Sequence, residues 1–134
     1  MYMLDTDICI YIMKKKPKNV LKYFMRLQPG ELFMSVISFA ELMNGAKKSR
    51  QVEDNVARLY ELAELLEIKA FDQKAAIAYG DIRSVLEKKG KIIGSNDLLI
   101  AAHALSLDSI LVTNNEKEFS RIDGLKIENW TRSQ

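Results

Sequence analysis

A chain of 134 residues, 48% hydrophobic and 28% charged, is sized for one packed domain (residues 1–134) and not for two. Its formal charge of +2 selects no partner class, and its single cysteine excludes a disulfide framework. No apolar run approaches the ~20 residues a membrane-spanning helix needs. The unpaired Cys9 fits a reducing cytoplasm, and the opening Met-Tyr-Met-Leu-Asp lacks the basic region and cleavage-like site of an export signal.

In chain order, Met1–Leu4 reads as a strand and Ile8–Met13 as a helix running into Lys14-Lys15-Lys16-Pro17. A second helix over Asn19–Leu27 sets Val20, Tyr23, Phe24 and Leu27 on one face. After the turn Gln28-Pro29-Gly30-Glu31, Leu32–Ser35 is a strand and Ser38–Gly45 a short helix. Gln51–Leu66 is a long amphipathic helix, and Ile68–Phe71 a short strand. Asp72 caps the helix Gln73–Lys89, which stops at Gly90. Ser95 or Asn96 caps a helix ending at Leu107, and Ser109–Thr113 is a strand. A short helix over Lys117–Arg121 and a strand over Leu125–Glu128 complete the series. Strands alternating with helices predict a parallel sheet in an α/β/α sandwich.

Two features stand out from this frame. Ile8-Cys9-Ile10-Tyr11-Ile12-Met13 is apolar on every side, and a helix without a polar face must be covered all round. The sheet supplies one cover. The other is expected to be a partner protein or a second copy of this chain laid over the first two helices; the alternatives are that these residues extend a strand or that the second helix covers them fully. The chain also carries six basic residues between Ile8 and Gly30 (Lys14, Lys15, Lys16, Lys18, Lys22, Arg26) and no acid, with a second cluster at Lys47, Lys48 and Arg50. Such patches suit phosphate backbones, and equally serve as solvated faces.

Three carboxylates fall where a parallel sheet delivers side chains to one crevice, at the carboxyl ends of its strands. Asp5 follows the first strand, Glu41 lies in the helix after the second, and Asp97 begins the helix before the fourth. Each has an ordinary alternative. Asp5 and Asp97 suit helix N-termini, though Thr6 or Asp7 could serve in place of Asp5. Ser38-x-x-Glu41 matches a capping box. Their joint placement at one end of the sheet favours a divalent metal site, because adjacent carboxylates do not all stay ionised without a cation. Oxygen ligands beside a phosphate substrate suit Mg²⁺ or Mn²⁺. His103 lies about 240° around the helix from Asp97, so it is read as a packed or half-exposed helix residue and not as a co-ligand. No nucleophile elbow or glycine-rich phosphate loop is present.

The motifs resemble those of PIN-domain ribonucleases, and within them the VapC toxins of type II toxin–antitoxin systems. Met3-Leu4-Asp5-Thr6-Asp7-Ile8 looks like the first motif and Ser38-x-x-Glu41-Leu42-x-x-Gly45 like the second. Ile93-Gly94-x-x-Asp97-x-x-Ile100-Ala101-x-His103-Ala104 resembles the third, and Leu111-Val112-Thr113-Asn114-Asn115-x-x-Glu118-Phe119 the fourth. Leu125 through Trp130 is similar to the usual ending, so the likeness spans the whole chain.

The resemblance implies a three-layer α/β/α sandwich with a central parallel sheet. It implies Asp5, Glu41 and Asp97 as metal-binding and catalytic carboxylates, with Asn115 in a fourth catalytic position that is often Asp. Glu118 and Asp7 are candidates to supplement the charge. Thr6 and Ser38 would position substrate. The activity implied is Mg²⁺-dependent cleavage of structured RNA, tRNA and initiator tRNA foremost, leaving 5′-phosphate and 3′-hydroxyl ends. The partners implied are a VapB-type antitoxin, laid over Ile8, Tyr11, Ile12, Tyr23 and Phe24, and a second copy of the chain in a homodimer. Three other readings compete: a non-catalytic PIN-like module that binds RNA or a partner, prompted by Asn115; an Asp-x-Asp phosphatase, prompted by Asp5-Thr6-Asp7; and a receiver domain of the signalling class, prompted by Asp72 after a strand.

Overall fold

The computed structural model describes residues 1–132. Five strands, β1 (Tyr2–Leu4), β2 (Leu32–Ser35), β3 (Glu67–Lys69), β4 (Ile110–Val112) and β5 (Lys126–Glu128), form one sheet in the order β3-β2-β1-β4-β5. All four pairings are parallel. The sequence runs from β1 outward through β2 to β3, then returns past β1 to β4 and β5. The order therefore reverses between β1 and β4, which is where an open α/β sheet leaves its crevice.

Seven helices cover the sheet: α1 (Thr6–Lys14), α2 (Lys18–Arg26), α3 (Val36–Lys47), α4 (Val52–Leu65), α5 (Gln73–Lys89), α6 (Ser95–Ser106) and α7 (Glu116–Phe119). Strand side chains alternate between faces, and the three central strands β1, β2 and β4 are buried on both, which is why they read as continuous apolar runs, whereas the edge strands β3 and β5 carry charged residues. On one face Met3, Phe33 and Leu111 pack with Ile82 and Leu86 of α5 and Leu98 and Ile100 of α6. On the other, Leu4, Leu32, Met34 and Val112 pack with Ile8 and Ile12 of α1, Leu59 and Leu62 of α4, and Trp130. The sandwich expected from the sequence is present.

Element ends carry two corrections. The N-cap of α3 is Ser35, whose hydroxyl accepts from the Ile37 amide at 3.1 Å. Ser38 lies inside the helix, so Ser38 and Glu41 form no capping box and Glu41 is free of that duty. The N-cap of α6 is Gly94, not Ser95 or Asn96; the Asn96 side chain is drawn instead to Glu41. Asp72 caps α5 as read, accepting from the Ala75 amide at 3.0 Å, and Gly90 ends it in the left-handed region at φ 66°.

The all-apolar α1 is covered more fully by its own chain than its composition suggested. Ile8, Cys9 and Ile12 are buried, while Ile10, Tyr11 and Met13 are half-buried. Replacing Asp72 with alanine is expected to cost about 1 kcal/mol through the lost cap. Leu111→Ala, which empties the centre of the sheet, should cost about 2–5 kcal/mol. Urea denaturation of the two variants should show that contrast.

Candidate active site

Asp5 is delivered to the crevice by β1 and fixed there from two sides. Its Oδ1 accepts from the Ile8 amide at 2.9 Å, making it the N-cap of α1. Its Oδ2 accepts from the Thr113 hydroxyl at the end of β4. The expectation that Thr6 or Asp7 could serve that helix end in its place is corrected: Asp5 is both cap and crevice carboxylate. Thr113 is fully buried and also accepts from the Asn115 amide at 2.9 Å. One hydroxyl thus links Asp5 to the start of α7 across the point where strand order reverses.

Glu41 reaches the same region from α3. Its Oε1 accepts from the Thr6 hydroxyl at 2.6 Å and its Oε2 from the Asn96 amide at 3.1 Å. Thr6 therefore orients a carboxylate. Asp97, half-buried in the first turn of α6, is the group on which the others act. The Asn115 side chain donates to Glu118 at 3.1 Å and so holds Glu118 toward Asp97.

The electrostatics register this crowding. Burial pushes the Asp5 carboxyl up to about 7, against the opposing hydrogen bonds from Thr113 and Ile8, with Asp7 and Asp97 adding to the rise. Asp97 is raised to about 6 by burial first, then by Glu118, Glu41 and Asp7. None of these five carboxylates is in an ion pair among the described residues. Among those residues, no three Asp, Glu, His or Cys side chains close into a ready-made metal cage. The donor set is all oxygen and open, which fits a hard divalent cation that keeps much of its water and does not fit a fully protein-ligated one.

Three predicted positions have other surroundings. Ser38 is fully buried, and its hydroxyl is without a hydrogen-bond partner; substrate does not reach it, which corrects its reading as a positioning residue. Ile8 and Ile12 point into the core at 0% and 6% exposure, so they offer no docking surface. Tyr11, Tyr23 and Phe24 are half-buried. Tyr11 accepts a hydrogen bond from Asn114 at 3.4 Å, and Tyr23 stacks on Trp130 with ring centroids 5.3 Å apart.

His103 is a core residue, packed and not half-exposed. Its Nδ1 lies 2.8 Å from the Ser35 hydroxyl, Phe71 meets it edge-on, and burial lowers its pKa. Thr113 and Asn96 were not singled out from the sequence. The signal for Thr113 was a lone hydroxyl residue directly after a buried strand.

A groove of about 300 Å³ opens from this centre between α1, α3 and α4. Thr6 and Glu41 stand at one end, and Ile10, Met13, Lys14 and Arg58 line its walls.

The PIN domain family profile matches residues 2–125. The chain is 45% identical to ribonuclease VapC2 of Rickettsia felis over 98% of both sequences. It is 39% identical to the tRNA(fMet)-specific endonuclease VapC of Shigella flexneri, covering 97% of this chain and 98% of the relative. In three dimensions it is similar to a chain of VapBC2 from Rickettsia felis bound to a DNA fragment from their promoter, at a TM-score of 0.91 and 45% identity over 96% and 98% of the two chains. It is likewise similar to a chain of VapBC-1 from nontypeable Haemophilus influenzae, at a TM-score of 0.90 and 42% identity over 98% of each.

Raised carboxyl pKa values have a thermodynamic consequence. Asp5 and Asp97 bind protons more tightly folded than unfolded, so their contribution favours the folded state at low pH and is lost as pH rises from the ordinary carboxylate value of 3.8 through the folded values of about 6 and about 7. In chelator, wild type should lose stability between about pH 4 and pH 7, and Asp97→Asn should lose less, as read from urea midpoints. A divalent cation should restore wild type at pH 8 and do little for the variant.

Proposed function

The chain belongs to the PIN domain family, and on that footing we propose that it is the toxic endoribonuclease of a toxin–antitoxin pair, one PIN domain over residues 1–134. The observation that carries this reading is the uncompensated carboxylate cluster at the point of strand reversal. Such a centre attracts a cation and repels a bare phosphodiester, so it acts on phosphate only with metal present. Family membership makes the enzyme divalent-metal dependent; we take the ion to be Mg²⁺ or Mn²⁺, with Asp5, Glu41 and Asp97 holding it. When bound, such an ion lowers the pKa of water and neutralises charge on the phosphodiester.

The side chains divide the remaining work. Thr113 and the Ile8 amide set the direction of Asp5, while Thr6 and Asn96 set that of Glu41. Asn115 brings no charge but orients Glu118, and Glu118 supplies the negative charge at that corner. Loading the metal requires the raised carboxyls to release their protons, so affinity increases with pH through the range in which Asp5 and Asp97 titrate. The products carry 5′-phosphate and 3′-hydroxyl ends.

The substrate is structured RNA, with tRNA, and initiator tRNA in particular, favoured by the relatives named as tRNA(fMet)-specific endonucleases. The partner is a VapB-type antitoxin, supported by the VapBC complexes of similar fold. Its docking surface is the half-buried aromatic set Tyr11, Tyr23 and Phe24 together with the groove beside α1. A second copy of the chain has exposed apolar side chains to meet, among them Ile77 and Val85 of α5. A tRNA substrate and a co-produced antitoxin set the place of action in the cytoplasm. No helix among the described residues is long and apolar enough to cross a membrane.

Purified chain incubated with total tRNA and Mg²⁺ should give discrete fragments, lost in chelator and in Asp97→Asn. Equal cleavage by the variant would sink the assignment of the site. Metal-dependent binding of RNA without any cleavage would support the non-catalytic module. Phe24→Ala should weaken antitoxin binding about 10-fold or more, in the range of an interface anchor, and leave the rate of RNA cleavage unchanged.

A further inference from the structure

Beyond the far end of α1 lies a basic concavity that the carboxylate centre does not use. On α2, Lys18, Lys22 and Arg26 recur every four residues, the spacing that lines side chains along one row of a helix. The row is about 12 Å long, the rise of three to four base pairs in a duplex. With Lys15, Asn19 and Met25 these side chains line a groove of about 710 Å³. The opposite face of α2 carries the fully buried Val20, so the row is turned to solvent, and Lys18, Lys22 and Arg26 are all exposed.

None of these cations is in an ion pair among the described residues, and no acid occurs from Ile8 to Gly30. Like charges at four-residue spacing destabilise a helix, and an external polyanion offsets that repulsion. The concavity and the groove beside the carboxylates are lined by neighbouring residues of the chain. Lys14 lines the groove that begins at Thr6 and Glu41, and Lys15, the next residue, lines the basic one.

We propose that the α2 row binds the phosphate backbone of the RNA substrate at a distance from the scissile bond, an inference that rests on the ribonuclease reading above. The carboxylate centre repels a polyanion until metal is bound, and the α2 row supplies the missing attraction. It acts on nucleic acid with structure outside the cleaved loop, and it makes the enzyme favour a whole folded RNA over an isolated stem-loop.

The test uses the full chain freed of antitoxin, with a complete tRNA that it cleaves and the isolated stem-loop holding the cleavage site. The variants are Lys18→Gln/Lys22→Gln/Arg26→Gln and the charge-keeping Lys18→Arg/Lys22→Arg. For the complete tRNA, the neutral variant should raise KM about 10-fold or more with kcat unchanged. It should also lower the slope of log KM against log salt by about 2 to 3, the release expected for three phosphate contacts. Kinetics on the stem-loop should match wild type, and the arginine variant should behave as wild type on both.

Unchanged KM and salt slope on complete tRNA would overturn the proposal, as would an equal loss on the stem-loop. Weakened antitoxin binding with unaltered RNA kinetics would assign the row to an acidic protein segment instead. If wild type cleaves neither RNA, the ribonuclease reading fails, and tRNA binding in chelator still decides the surface: weaker, less salt-sensitive binding by the neutral variant supports it, and equal binding overturns it.

Discussion

Carboxylates brought together without a cation among them are the constraint on which this molecule turns. Asp5, Asp7, Glu41, Asp97 and Glu118 come from four separate stretches of the chain, and Asp5 and Asp97 are pushed toward neutrality by burial first and then by the acids around them. A fold selected for stability alone gains nothing from such an arrangement, since each charged group is costly to bury near its like. The ionised cluster is costly at this point, and a cation bound there would offset that cost.

What holds the cluster is a set of short, specific bonds at the ends of neighbouring strands. Thr113 donates to Asp5 across the β1–β4 junction and accepts from the backbone at Asn115, so the two halves of the sheet are joined at the crevice. Thr6 and Asn96 divide the two oxygens of Glu41 between α1 and α6. These donors keep three helices in register at the place where their acidic residues repel. The hydrophobic layers beneath, packed on both faces of β1, β2 and β4, make that register rigid.

The surface around the cluster separates chemistry from capture. The crevice is acidic and small in reach, whereas the groove beside it is walled by Ile10 and Met13 and a separate one on α2 is lined by lysines and Arg26. On the reading proposed above, a protein segment would meet hydrophobic walls and the aromatic side chains of α1 and α2, and nucleic acid the exposed cations of α2.

Much of this was legible in the residues. Strand and helix periodicities placed nearly every element within a few residues, because both faces of the sheet are buried and each helix has an apolar stripe to match. The carboxylates could be named because open parallel sheets collect side chains at one edge. The spacing of Ser38 and Glu41 pointed to Ser38 as the cap of α3, but the backbone turns into the helix at Ser35, whose hydroxyl takes that place. The sequence could not show that Asn96 bonds Glu41, 55 residues away, or that Thr113 bonds Asp5 across 108. Ile8 and Ile12 looked like surface for a partner because α1 has no polar face, until the packing of α2 and α4 enclosed them. Local pattern, then, settled the elements, their order and the chemical character of the site. Which hydroxyl and amide orient which carboxylate, and which apolar residues remain outside, was left to tertiary packing, because those choices depend on distances between segments that no local propensity encodes.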